Sequence, residues 1–278
     1  MNKKQIFVDL DIHLIQQIRL IQAVSESEFP VFIPQAQHFK LLSLTEKFSL
    51  RFSREPAEIS TMLSEAISIN HKIPITSIGE LCRPLIFPHE ICTYCKTLWK
   101  DSREMKFSFV GLETKERKNV IENWKEERFK KKPRTAFSSA INIFREKIQL
   151  RIGNKMSHRQ SGQLHSFASR RGRNYPTKAW DEIYYKILAN SEFVLCPRGK
   201  SDWTYRFYEA ILCGAIPVVE KDCEVYSGFK YHFMHEPKEN LLWSRETAEY
   251  NYQLCLERIT IPLPLLNKTL EALIVRAE

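Results

Sequence analysis

Apolar positions along this chain recur at two spacings that alternate from one segment to the next. Gln5–Leu10 is a short apolar run of strand type, and His13–Val24 repeats at helical period through Leu14, Ile18, Ile21 and Ala23. Pro30–Pro34 predicts a short strand between prolines, Pro56–Asn70 a helix through Ile59, Leu63, Ala66 and Ile67, and Arg83–Phe87 a strand stopped by Pro88. After Cys95–Glu104 the alternation resumes. Lys106–Val110 reads as a strand ending at Gly111, Lys115–Arg128 as a charged helix, and Lys130–Pro133 as a loop. Ala179–Asn190 predicts a helix that feeds the buried-type strand Phe193–Cys196. A helix over about Thr204–Cys213 follows, closed by Gly214 before the strand Ala215–Val219. Ser244–Arg258 is helical, Pro262 and Pro264 break it, and an amphipathic helix runs over about Leu265–Arg276. Strands alternating with helices predict βαβ units and a mainly parallel sheet. The expected organisation is an N-terminal domain over residues 1–100, a second over 101–260, and a helix at 261–278 that packs back on the first.

Composition narrows the class. Apolar residues make up 43% of the 278 positions and charged residues 27%, as in an ordinary soluble globular protein. Lys and Arg outnumber Asp and Glu by 42 to 33, so the net charge of +9 favours an anionic partner. No apolar run is long enough to span a bilayer, and Asp9 and Asp11 interrupt the N-terminal one before it could serve as a signal peptide. Seven scattered cysteines argue against a disulfide framework and for a reducing, cytoplasmic setting of a soluble protein. Cys92 and Cys95 form a lone CxxC with no second pair at zinc spacing, and read as buried thiols. Only 8 glycines occur, so each is more informative than usual. None builds a G-x-G-x-x-G or Walker loop, which disfavours dinucleotide oxidoreductases and P-loop kinases.

The richest segment is 193–219. Arg198 and Gly199 lie where a strand releases into a loop, at the edge where open α/β sheets place ligands. Ser201 and Thr204 offer hydroxyls and a helix cap, and Arg206 and Glu209 project from one face of the helix that follows. A cation at a helix N-terminus suits a diphosphate, and a carboxylate one turn deeper suits paired ribose hydroxyls. The competing reading is a surface Arg206–Glu209 pair contributing a few tenths of a kcal/mol.

Three blocks in this region resemble the donor-site motif of exostosin-family glycosyltransferases (family 47): Cys196-Pro-Arg-Gly199, Arg206-Phe-Tyr-Glu-Ala210 and Gly214-Ala-Ile-Pro-Val-Val219. Upstream, Phe107-Ser-Phe-Val-Gly111 followed by Arg117 is similar to the family's strand-Gly…Arg block. The resemblance covers roughly residues 83–220. It implies a GT-B architecture, two Rossmann-like domains with mainly parallel sheets facing across a cleft, and inverting transfer from a UDP-sugar to a glycan or glycoprotein without cofactor or essential metal. It also implies that Arg198, Arg206 and Arg117 meet phosphates, Glu209 the ribose, and Ser201 with Tyr205 the phosphate rim. Within the family the chain looks most like the small soluble members of large algal viruses, some of which are xylosyltransferases, so xylose or another pentose is the expected sugar.

Inverting transfer requires a base for the acceptor hydroxyl. Asp11, after the first strand, and His89 and Glu90, after Pro88, are the base candidates, with His38 a weaker one. Asp11 could instead cap a helix, and His89 and Glu90 could be solvated loop residues. Asp9-Leu-Asp11 also matches the metal motif of the other glycosyltransferase fold, but it stands too early in the chain for that role. The acid-free stretch 147–180, with Lys147, Arg151, Lys155, Arg159, Arg170, Arg171, Arg173 and Lys178 around Tyr175 and Trp180, reads as a solvated loop. It is also the best support for a rival class, a nucleic-acid-binding module. A sugar-nucleotide binder without turnover is a third reading. Zinc at His158 and His165 lacks a matching ligand set.

Overall fold

A computed structural model describes residues 4–48, 50, 52–53, 55–57, 59–70, 72–129, 157–169, 179–199 and 201–276. They fall into two compact units. The first holds the described residues up to Tyr94, residues 179–181 and those from Gln253 onward; the second holds the described residues of 95–169 and of 182–252.

In the first unit, β1 (Lys4–Phe7) is the centre of a parallel three-stranded sheet, flanked by β2 (Val31–Phe32) and β3 (Ile59–Met62). Helix α1 (Ile15–Val24) is buried along its length after the first residue, so Ile18, Leu20, Ile21 and Val24 lose all or nearly all contact with water. Helix α2 (Gln35–Phe48) ends on Phe48, whose ring meets Trp180 edge-on at 4.7 Å, and Tyr94 closes the aromatic cluster. The short helix α3 (Leu63–Ala66) leads into an antiparallel meander of β4 (Ile67–Asn70), β5 (Ile75–Ile78) and β6 (Leu81–Arg83). The last helix, α9 (Leu263–Arg276), packs on β1 and β3.

The second unit is built on six strands. In sheet order they are β12 (His232–Phe233), β11 (Ile216–Val219), β10 (Ser191–Cys196), β7 (Met105–Leu112), β9 (Leu164–Ser169) and β8 (Ser157–Ser161). All neighbours are parallel except β8, which closes the edge antiparallel to β9. Helices α5 (Lys115–Arg128), α6 (Glu182–Ala189) and α7 (Tyr205–Leu212) connect or cover the strands, and α4 (His89–Thr97) and α8 (Arg245–Ile259) carry the chain from one unit to the other. Phe107, Phe109, Phe193, Leu195, Ile216 and Val218 form the core with Trp124, and Phe107 stacks on Phe193 at 5.4 Å. Near-continuous apolar strands are what a parallel sheet covered on both faces requires. Behind it, Arg103 ties the sheet to the helix layer, donating to the carbonyls of Ser191 (2.8 Å) and Cys213 (3.1 Å). Burial pulls its pKa down to about 10.

The α/β class and the parallel sheets are those the alternating pattern implies, but three segments differ. The helix expected over Pro56–Asn70 is strand, one helical turn and strand. Ile59, Thr61, Ile67 and Ile69 are β-branched and stiff at χ1, and pairing with β1 and β5 outweighs the helical spacing. The strand expected over Arg83–Phe87 ends at Arg83, because Pro84 cannot donate to a ladder. The expected loop over 147–180 contains the β8–β9 hairpin, whose turn carries Gly162 at φ +58°, and β9 pairs with β7 in the middle of the sheet. Lys130–Pro133, Tyr175 and the cations Lys147, Arg151, Lys155, Arg170, Arg171, Arg173 and Lys178 lie outside the described residues.

Candidate active site

The carboxyl ends of β7 and β10 sit side by side, and the turns leaving them bring two arginines together. Helix α7 starts at Tyr205 because Thr204 caps it, its hydroxyl accepting from the Arg206 amide at 3.4 Å, while the Thr204 amide donates to the Tyr226 hydroxyl at 2.8 Å. Arg206 is thereby aimed inward and is 6% exposed. Its Nε donates to the Val110 carbonyl at 2.7 Å, its guanidinium lies 4.6 Å from the Phe109 ring centre, and Nη1 is buried with no hydrogen-bond partner among the described residues. Gly111 makes this placement possible. A Cβ there would lie 2.6 Å from Arg206 Nη2, and the backbone has φ +133°.

Arg117 reaches the same place from α5, which Thr114 caps by accepting from the Arg117 amide at 3.3 Å. Its Nε donates to the Arg198 carbonyl and its Nη1 to the Leu112 carbonyl, each at 3.2 Å. A Cβ on Gly199 would meet Arg117 Nη2 at 2.7 Å, so the second glycine seats the second arginine. Burial, and after it the Arg206 charge, lowers the Arg117 pKa to about 10. Two guanidinium groups are held in partly dehydrated, mutually repelling positions, which an anion between them would relieve. Cys196, at the end of β10, feels both charges, although burial dominates and pushes its thiol up to about 12.

The other residues expected to meet the donor have different surroundings. Arg198 is half exposed and engaged by carboxylates, with Asp202 at 3.2 Å and Glu220 at 3.8 Å; Glu220 also accepts from the Arg198 amide at 2.6 Å. Ser201 and Tyr205 are partly exposed on the same loop and helix start, the Tyr205 ring lying 5.1 Å from that of Trp203. Glu209 is fully buried, one oxygen accepting from the Tyr184 hydroxyl at 2.6 Å and the other from Tyr185 at 3.0 Å. As placed it offers no surface to a ribose. The surface Arg206–Glu209 pair is overturned, since both side chains are buried, Arg206 Nε donating to Val110 and the Glu209 oxygens accepting from Tyr184 and Tyr185.

Gly111, Tyr184, Tyr185 and Glu220 are the residues of this arrangement that spacing did not single out for a role. Glycine scarcity hinted at the first. Nothing local in sequence joins the tyrosines of α6 to Glu209 on α7.

The base candidates lie in the first unit. Asp11 is exposed and ion-paired with Lys40 at 2.6 Å, and that bond lowers its pKa, leaving a weak base. Glu26 accepts from the amides of His89 (2.9 Å) and Glu90 (2.8 Å) at the start of α4. Desolvation, then the Glu26 charge, raises the Glu90 carboxyl. The His89 Nε2 lies 2.8 Å from the Ile261 carbonyl and must carry a proton to bond it, so in the neutral ring Nδ1 is the basic nitrogen. His38 Nε2 is likewise 2.8 Å from the Ile33 carbonyl. Asp9 accepts from the Ser64 amide and hydroxyl, so it and Asp11 turn to separate partners. Among the described residues no group of three or more His, Cys, Asp or Glu side chains could hold a metal ion. Trp180 is a core residue, 6% exposed, and Cys92 and Cys95 are buried in α4. Among the described residues no helix is long and apolar enough to cross a membrane.

Two arginines thus converge at the sheet edge of an α/β protein, and the sequence says which kind. The model of the exostosin GT47 domain matches residues 62–247, and the chain belongs to that family of glycosyltransferases. Among solved structures, AviGT4, a glycosyltransferase involved in avilamycin A biosynthesis, is similar at 11% identity over 99% of this chain and 98% of that one, with a TM-score of 0.45. Anabaena Alr3699/HepE in complex with UDP-glucose is similar at 10% identity over 89% and 72% of the two chains, with a TM-score of 0.36. No curated protein matches the chain.

Proposed function

We propose that this glycosyltransferase is a GT-B enzyme that moves a sugar from a UDP-sugar to a hydroxyl of a glycan with inversion, using arginines where other enzymes use a metal ion. The observation that carries the reading is the buried Arg206 Nη1, unpartnered beside Arg117 at a sheet edge. The diphosphate bridges the two guanidinium groups, with the capped N-terminus of α7 adding its partial positive charge. A base takes the acceptor hydroxyl proton as that oxygen attacks the anomeric carbon from the face opposite the diphosphate. The bond from carbon to the diphosphate oxygen breaks, and the charge that gathers on the leaving group meets Arg206 and Arg117. Of the three base candidates, His89 is chemically the best prepared, because the Ile261 carbonyl fixes its tautomer. Contact of Glu209 with the ribose requires Tyr184 and Tyr185 to release it. The pentose, xylose first, follows from the likeness to the small viral members of the family.

UDP release from a panel of UDP-sugars, with and without a chelator, tests the reading. Release with one donor, unchanged by the chelator and at least 100-fold slower in His89→Gln, is expected. Binding of UDP without release from any donor would identify a binder without turnover.

A further inference from the structure

The loop between β10 and α7 is held at both ends by the segment that follows β11. At its start the Glu220 carboxylate accepts from the Arg198 amide at 2.6 Å. At its end the Tyr226 hydroxyl, carried on the 3-10 turn Glu224–Tyr226, accepts from the Thr204 amide at 2.8 Å. The second hold is the one shielded from water. Tyr226 is 1% exposed, and its ring stacks on that of Phe207 with centres 3.7 Å apart and planes 14° apart. Burial raises its pKa, so the hydroxyl keeps its proton and stays a neutral partner. Thr204 is itself buried, and an amide left there without an acceptor would carry its full desolvation cost.

Thr204 stands where that bond has the most leverage. Its amide precedes α7 and has no acceptor within the helix, and its backbone is extended (φ −145°, ψ 141°), as a cap requires. Its hydroxyl turns back to accept from the Arg206 amide, and Arg206 runs from the first turn to the Val110 carbonyl at the end of β7. Three linked bonds therefore lead from Tyr226 to Thr204, from Thr204 to Arg206 and from Arg206 to Val110. We infer that Tyr226 is a positioning residue: it fixes the cap from which Arg206 is aimed, and so prepares the anion site without touching the anion. The inference rests on the donor reading, which gives Arg206 its task. Tyr208 supplies an internal comparison. Its hydroxyl donates to the Val225 carbonyl at 3.0 Å, so it ties the same helix to the same turn, one helical turn past the cap. If the turn only had to be held against the helix, the two hydroxyls would be equivalent.

The test sets Tyr226→Phe beside Tyr208→Phe in the whole chain, each variant losing one hydroxyl and keeping its ring. The first readout needs no ligand: hydrogen exchange of the Arg206 Nε–H, followed by NMR and assigned by its loss in Arg206→Ala. Exchange should be at least tenfold faster in Tyr226→Phe and within twofold of the wild type in Tyr208→Phe. The second readout is UDP affinity by calorimetry, weakened at least fivefold in Tyr226→Phe and within twofold in Tyr208→Phe. Adding Tyr226→Phe to Arg206→Ala should change UDP affinity by less than a further twofold, because the tyrosine acts through the arginine. Equal exchange in the two tyrosine variants would overturn the inference. So would UDP affinity unchanged by Tyr226→Phe, or losses that multiply independently in the double variant. If UDP fails to bind the wild type while Arg206 exchange still separates the two variants, the donor reading falls and the positioning role stands.

Discussion

Arg206 and Gly111 make the clearest case for how single residues build this site. The arginine needs space beside the end of β7, and only a residue without a side chain, tolerant of φ +133°, leaves it. Gly111→Ala should therefore lower stability by about 1 kcal/mol or more and weaken UDP binding at least tenfold. Gly228→Ala, at another positive-φ glycine (+84°), should lower stability and keep UDP affinity. Equal UDP binding in both variants would remove Gly111 from the site. Glu209 poses a different question, because two tyrosine hydroxyls already occupy its oxygens. Should it reach the ribose in the complex, Glu209→Gln loses the preference for UDP over 2′-deoxy-UDP. Should it only hold α6 against α7, that preference survives and Tyr184→Phe costs stability, about 1–3 kcal/mol for a buried acceptor left short of a donor. The spacing of Arg206 and Glu209 was legible in the sequence. Their separate partners were not, because those come from β7 and α6, distant along the chain.

Helices and strands with one dominant signal are where pattern and structure agree. The charged helix opening at Lys115 and the apolar strand ending at Cys196 each carry one periodicity. Ile59–Asn70 carries two, and the neighbouring strand decides between them. The β8–β9 hairpin was hidden because Ser157–Ser161 is polar throughout and mostly exposed, as an edge strand can be, and so carries no apolar alternation. That hairpin places His158 over Phe167 with ring centres 4.4 Å apart and its Nε2 3.3 Å from His165 Nδ1. Burial lowers the pKa of both rings, and for His158 the neighbouring imidazole adds to it. A histidine whose folded pKa lies below its unfolded value binds protons more readily in the unfolded chain. Stability is thus kept above about pH 6.5 and lost as pH falls from there toward the lower folded values. Melting at pH 7.5 and 5.0 should show this loss in the wild type and a smaller one in His158→Phe, which keeps the stack on Phe167. At the start of α7, Thr204→Ala should cost about 1 kcal/mol for the lost cap, and it should weaken UDP binding as well, because the same cap aims Arg206.

At the scale of the whole molecule, family membership, a parallel sheet edge and a net charge of +9 converge on an anionic donor. The strand, helix and strand of the proposed donor site were readable because they lie close together inside 193–219. The base was not, because Asp11, His89 and Glu90 differ in what Lys40, Ile261 and Glu26 do to them, and those partners are 29, 172 and 64 residues away along the chain. The arginine pair is central to the proposed donor site, so the most direct measurement is a calorimetric titration with UDP of the wild type, Arg206→Ala and Arg117→Ala. Binding without added metal ion is expected, weakened at least tenfold in each variant while both remain folded. UDP affinity unchanged by Arg206→Ala, or binding that appears only when a divalent cation is supplied, would contradict it.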